Sequence, residues 1–148
     1  MANQPNQRLI IPVLSAANFI IGMGAFMIVG MLNPVAETFN ISAAEAGRLM
    51  TYYALGYAVL SPLLVSATGS IGLRKVLVTG LLVFGLANLL GALAPTEAIL
   101  DLSRILAAAG ASMISPVAAA VAATLSSPER RARALAAVFF GLTLSQVA

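Results

Sequence analysis

Cysteine and histidine are both absent from this 148-residue chain, and only 9% of its residues are charged. Without cysteine there is no disulfide framework and no thiolate site. Without histidine the commonest metal ligand and the usual proton shuttle near neutral pH are missing. The five acidic residues, Glu37, Glu45, Glu97, Asp101 and Glu129, all lie outside the uncharged cores of the apolar runs. Phosphate-binding loops and metal-ligand spacings are absent as well. These gaps point away from an enzyme and leave no expected cofactor or metal.

What is present is apolar. Hydrophobic residues make up 60% of the chain and the mean hydropathy is +0.98, against about 45–50% apolar and 25% charged in soluble domains. Such a composition cannot cover a water-soluble surface. The expected class is an all-α integral membrane protein, with the lipid bilayer as its first partner. The net charge of +3 does not mark a nucleic-acid binder, because the basic residues fall in separate loops. Nor is the start a secretory signal. Arg8 precedes an apolar run of about 24 residues, longer than the roughly 7–15 of a signal core.

The stretch from Ser103 to Ala134 organises the rest. Arg104 opens a run that carries no charge until Glu129, after which Arg130, Arg131 and Arg133 arrive together. More than about 20 uncharged residues cross a hydrocarbon core at 1.5 Å per residue. The same reading along the chain predicts helices at about 9–32, 43–68, 74–93, 97–125 and 128–148. Asn33-Pro34 ends or loosens the first. Ser42 with Glu45 three residues on is a capping box that starts the second. Gly69 to Gly72 break it. A kink is expected at Pro116, and Ser127-Pro128 reads as cap and first position of the fifth helix. That last helix is about 15 residues long beyond its basic start, short of the core thickness, so the chain is expected to be a fragment: four full spans and part of a fifth.

Counting Lys and Arg gives a topology. With the N-terminus inside, the cytoplasmic segments hold Arg8, Arg74, Lys75, Arg130, Arg131 and Arg133, and the opposite side holds Arg48 and the four acids Glu37, Glu45, Glu97 and Asp101. The positive-inside rule predicts this asymmetry, and hence a multi-pass protein with a cytoplasmic N-terminus. A faint internal repeat of 86 residues pairs Gly24, Ala25, Met27 and Ile28 with Gly110, Ala111, Met113 and Ile114. Helices so paired enter from opposite sides, as in the inverted repeats of secondary transporters; shared membrane composition explains the same match.

Arg104 is the sharpest single residue. It is either a cavity-facing cation that binds anionic or polar substrate groups or couples to a carboxylate elsewhere, or an interfacial arginine that snorkels outward or pairs with Asp101. Tyr53 and Tyr57, four apart on one helix face, are cavity aromatics or helix contacts. Asn18 and Asn88 are membrane amides that serve as interhelical glue or as ligand contacts. Gly22, Gly24, Gly110 and the Ala107, Ala111, Ser115 stripe are read as close-packing faces, and Phe19 and Phe26 as packing.

The order of motifs resembles the major facilitator superfamily, in its drug:proton antiporter and sugar-efflux branch. YALGYAVLSPLL followed by GSIGLRK sits where that family has the end of helix two and its signature loop, LSRILAAAGAS where it has the arginine-bearing motif of helix four, and SSPERRARALA where it enters helix five. Gly72, Arg74 and Lys75 match the loop signature, whereas Val65, Gly69, Ser70 and Leu73 replace its first glycine, aspartate, arginine and second arginine. Ala107 and Ala108 replace the usual Gln and Gly after the helix-four arginine, while Gly110 is kept. Ala25 stands where some relatives carry a membrane carboxylate.

The resemblance implies the N-terminal part of a twelve-helix fold in a bacterial inner membrane, and proton-coupled efflux of a drug or sugar by alternating access. Arg104 would build the substrate site, with Tyr53, Tyr57 and Asn18 beside it. Gly72, Arg74, Lys75, Arg130, Arg131 and Arg133 would serve gating and topology, and Pro116 helix shape. The missing C-terminal half would be the main partner. The alternative is a non-transporting membrane subunit, or truncated paralogue, that packs against another chain. A self-sufficient small multidrug carrier is disfavoured, because such carriers rely on a membrane-embedded glutamate.

Overall fold

The computed structural model describes residues 7–147; Met1–Asn6, Ala148 and the side chains of Gln7 and Arg8 lie outside the described residues. The described chain forms seven helices: α1 (Gln7–Gly30), α2 (Leu32–Phe39), α3 (Ala43–Ala46), α4 (Arg48–Thr68), α5 (Leu73–Ala92), α6 (Glu97–Leu125) and α7 (Arg131–Leu144). Four stretches are long and apolar enough to cross a membrane: Leu9–Gly30, Ala43–Thr68, Leu73–Ala92 and Glu97–Leu125. Their local signals are physical. The Ser42 hydroxyl accepts from the Glu45 amide at 3.1 Å and the Glu45 carboxylate accepts from the Ser42 amide at 2.8 Å, closing the capping box. Thr96 caps α6 through the Ile99 amide.

Two boundaries differ from the sequence reading. Asn33-Pro34 does not end the first helical stretch. After a break at Met31 the chain re-enters a helix, and Pro34 falls in its first turn, where a missing N–H costs nothing. That helix stops at Asn40, in the left-handed conformation with φ 54°, which asparagine tolerates. At the other end, Ser127-Pro128 does not begin α7. Residues 128–130 form a turn and the helix starts at Arg131. Meanwhile α6 continues through Pro116 as one helix.

α6 is the axis of the bundle, packed against α1, α4, α5 and α7. Its small face makes that closeness feasible: Ala107, Ala108, Ala111, Ala118 and Ala122 are fully buried. Two glycine seams draw backbones together. A methyl on Gly110 would stand 2.6 Å from the Phe84 amide nitrogen and 2.7 Å from the Gly80 carbonyl, so α5 and α6 meet there through backbone. Across the α1–α7 contact, Gly22 gives its space to the Ser145 hydroxyl and Gly141 to the Ser15 carbonyl. Gly24 faces the tip of the Phe84 ring, so the two glycines matched in the 86-residue repeat flank one phenylalanine. Phe26, by contrast, is 37% exposed and stands outside the three buried clusters.

Candidate functional site

The two ends of the bundle differ in charge. At one end lie the starts of α1, α5 and α7 and the finish of α6; Arg74, Lys75, Arg130, Arg131 and Arg133 gather there, all exposed. Gly72 caps α5 with extended backbone and no side-chain cap. Neither α5 nor α7 has an acid in its first turn. Cations at a helix N-terminus oppose the helix dipole, so these are placed against local helix electrostatics. Glu129 is the acid among them. Hydrogen bonding to its own backbone amide, and then to the Ser127 hydroxyl, holds its carboxyl below the usual range.

At the opposite end Arg48 of α4 is bridged to Glu97 and Asp101 of α6, with Nε 3.4 Å from Asp101. This clasp settles the partner of Asp101: it is Arg48, fifty-three residues away, and not Arg104 on the neighbouring turn. The clasp sits over an apolar cluster of Ile28, Val35, Ala36, Ala46, Leu49 and Leu100. Sequence reasoning missed it. The available signal was opposite charges assigned to one side of the membrane at the starts of two spans.

Arg104 lies seven residues into α6 and is 4% exposed. It does not snorkel to the surface. Its Nη2 donates to the Asn88 side-chain oxygen at 3.1 Å and its Nη1 to the Gly24 carbonyl at 3.4 Å. Asn88 is aligned for this role because its own amide donates to the Phe84 carbonyl at 2.8 Å, leaving the oxygen free to accept. One guanidinium thus joins α1, α5 and α6. It lines a cavity of about 210 Å³ bounded by α1, α2, α5 and α6, together with Met27, Met31, Thr38 and Gly91.

Of the other expected site residues, Tyr53 lies close enough to Arg104 for the two to interact electrostatically, whereas Asn18 lies farther along the bundle. Asn18 is fully buried, accepts from the Ser115 hydroxyl at 2.7 Å and donates to the Leu14 carbonyl at 3.2 Å. Ser115 is eleven residues along α6 from Arg104, about 16 Å of helix. Tyr53 and Tyr57 stack with ring centroids 6.5 Å apart and pack on the cluster of Ala17, Ile21, Phe84 and Ala107. Neither tyrosine, nor Asn18, lines the cavity beside Arg104. A larger apolar groove of about 690 Å³ runs between α1, α5 and α6 toward the basic end, with Arg74 at its rim. Among the described residues no cluster of His, Cys, Asp or Glu suits a metal ion.

A family model described as Major Facilitator Superfamily matches residues 14–148. The chain is 35% identical over 141 residues to the uncharacterized MFS-type transporter YfhI of Bacillus subtilis, covering 95% of this chain and 36% of that protein. It is 33% identical over 134 residues to the inner membrane transport protein YdhP of Escherichia coli, covering 90% of this chain and 34% of that protein. Against the chloramphenicol efflux pump Rv0191 of Mycobacterium tuberculosis identity is 33% over 135 residues, with coverage of 91% and 33%. The chain therefore spans about a third of the length of the curated relatives it matches. No solved structure matches it.

Proposed function

This chain belongs to the Major Facilitator Superfamily, and on that premise we propose that it forms the N-terminal part of a secondary transporter that exports a small organic molecule in exchange for protons. The carrying observation is Arg104: a full positive charge buried in the axial helix and fastened to two other spans. Intramembrane cations are costly and are kept for function. A relative named for chloramphenicol efflux supports the direction and a drug as substrate, and one named for inner-membrane transport supports the location; a sugar substrate rests on the motif resemblance alone. The N-terminus is cytoplasmic in this reading, because the basic residues share one end of the bundle.

Arg104 holds its place in the transport cycle by keeping α1, α5 and α6 in register, so this half moves as one body against the other during alternating access. Tyr53, Tyr57 and Asn18 contribute packing beside the transport path. The apolar groove between α1 and α5 is covered by further helices of the same transporter. In the whole transporter of this reading, Arg104→Ala abolishes chloramphenicol efflux from loaded cells while membrane insertion is retained. Normal efflux by that variant removes Arg104 from the mechanism, and efflux indifferent to collapse of the proton gradient removes the coupling.

A further inference from the structure

Every partner of the Arg104 guanidinium is neutral. Two of its nitrogens donate to an amide oxygen and a backbone carbonyl, and its Nε, buried, has no partner. None of the described carboxylates is paired with Arg104. Glu97 and Asp101 are bridged to Arg48, Glu45 closes the capping box, Glu37 is exposed on α2 and Glu129 lies at the other end of the bundle. Although the clasp holds two acids for one arginine, neither acid comes within salt-bridge distance of Arg104. Nε is sealed off as well as unpartnered, and no described carboxylate offsets the charge, which is costly for a buried cation.

The surroundings leave space for a counter-charge. The cavity of about 210 Å³ has Arg104 and Asn88 in its wall and reaches Thr38 and Ala94 at the acidic end of the bundle. Gly91 keeps the approach open: a methyl there would stand 3.1 Å from Arg104 Nη2 and 2.7 Å from the Ser103 hydroxyl. The remaining wall is mostly apolar, with Met27, Met31, Val35, Phe39 and Leu100, so the guanidinium and the Asn88 amide are the groups that would hold an ion.

From this geometry we propose that Arg104, braced by Asn88 and Gly24, forms a binding site for a compact monovalent anion, either a free halide or the carboxylate of a bound substrate. The inference rests on the side-chain contacts, and it stands or fails on an equilibrium measurement that does not require transport to be running. The full-length protein is purified in detergent and its unfolding midpoint is followed in potassium methanesulfonate while chloride or acetate replaces that salt at constant ionic strength. A ligand that binds only the folded state raises the midpoint in a saturable way, here by roughly 3 °C at a hundredfold excess over half-saturation.

Asn88→Asp is the deciding variant. It keeps the shape of the amide and puts a carboxylate on Nη2, so its midpoint without added anion should equal or exceed that of the unsubstituted protein and should no longer respond to either ion. Arg104→Gln, if it folds, should also lose the response. Stabilisation by chloride assigns a free ion; stabilisation by acetate alone assigns a carboxylate-bearing substrate. A flat response of the unsubstituted protein to both ions, or an undiminished response in Asn88→Asp, overturns the proposal.

Discussion

α4 and α6 are both long apolar helices, yet they solve different problems. In the most apolar part of α6, 56% of the residues are buried within this chain, against 6% in the stretch Ala43–Thr68 that contains α4. Both meet the length and hydropathy of a membrane span, so hydrophobicity does not distinguish them. Residue size and polar placement do. α6 sets Ala107, Ala111 and Ser115 on one face and buries a charge and three serines, while α4 turns Leu55, Val59 and Leu63 outward. In lipid there is little hydrophobic gain in burying a leucine, so helices associate through close backbone approach and hydrogen bonds. The helix with small and polar residues becomes the centre, and the helix with large aliphatics faces lipid or the rest of the transporter.

The largest effect that would sharpen this contrast is expected at Gly110. Gly110→Leu forces a side chain into the α5 backbone, at a cost of about 3 kcal/mol or more. It should leave little monodisperse protein on size-exclusion chromatography in mild detergent. A well-folded Gly110→Leu would break the assignment of α6 as the axis. Next in size is the Asn18–Ser115 contact. Ser115→Ala should lower stability by about 1–2 kcal/mol because it strands a buried amide oxygen. A double-mutant cycle with Asn18→Leu should return a coupling of about 0.6–1.7 kcal/mol; additive effects would mean the two do not interact.

Smaller still is the outer clasp. Arg48→Gln is expected to cost less than about 1 kcal/mol, because the three groups are partly exposed. The loss should shrink in high salt, which screens such pairs, and an equal loss at low and high salt would contradict an ionic role. At the bottom of the scale, Leu55→Ala on α4 should change the unfolding free energy by no more than about 0.5 kcal/mol. A loss as large as that at Gly110 would erase the distinction between the two helices.

Much of the scaffold is legible in the chain because its causes are local. Runs of uncharged residues, the Ser42–Glu45 box, the Gly69–Gly72 interruption and the clustering of Arg74, Lys75, Arg130, Arg131 and Arg133 each act within a few residues. The misread boundaries have the same origin. Pro34 is compatible with either ending a helix or opening one, and the choice at α2 is made by Val35 and Ala36 packing into the cluster beneath the clasp. The basic segment before α7 reads as helix from Pro128, but the chain turns until Arg131, whose Nε donates to the Ala123 carbonyl at the end of α6.

The candidate site was less legible, because its contacts are long-range. Arg104 stands out as a charge in an apolar run. Nothing in sequence says that Asn88, sixteen residues earlier, and Gly24, eighty earlier, supply its partners, or that Asn18 is spent on Ser115. Membrane residence and family are set by composition and motif order, since the bilayer selects for those directly. Which polar groups meet, which glycines touch backbone and which carboxylates pair with which arginine among the described residues were decided only when the helices packed, because each depends on the relative rotation of two or three spans.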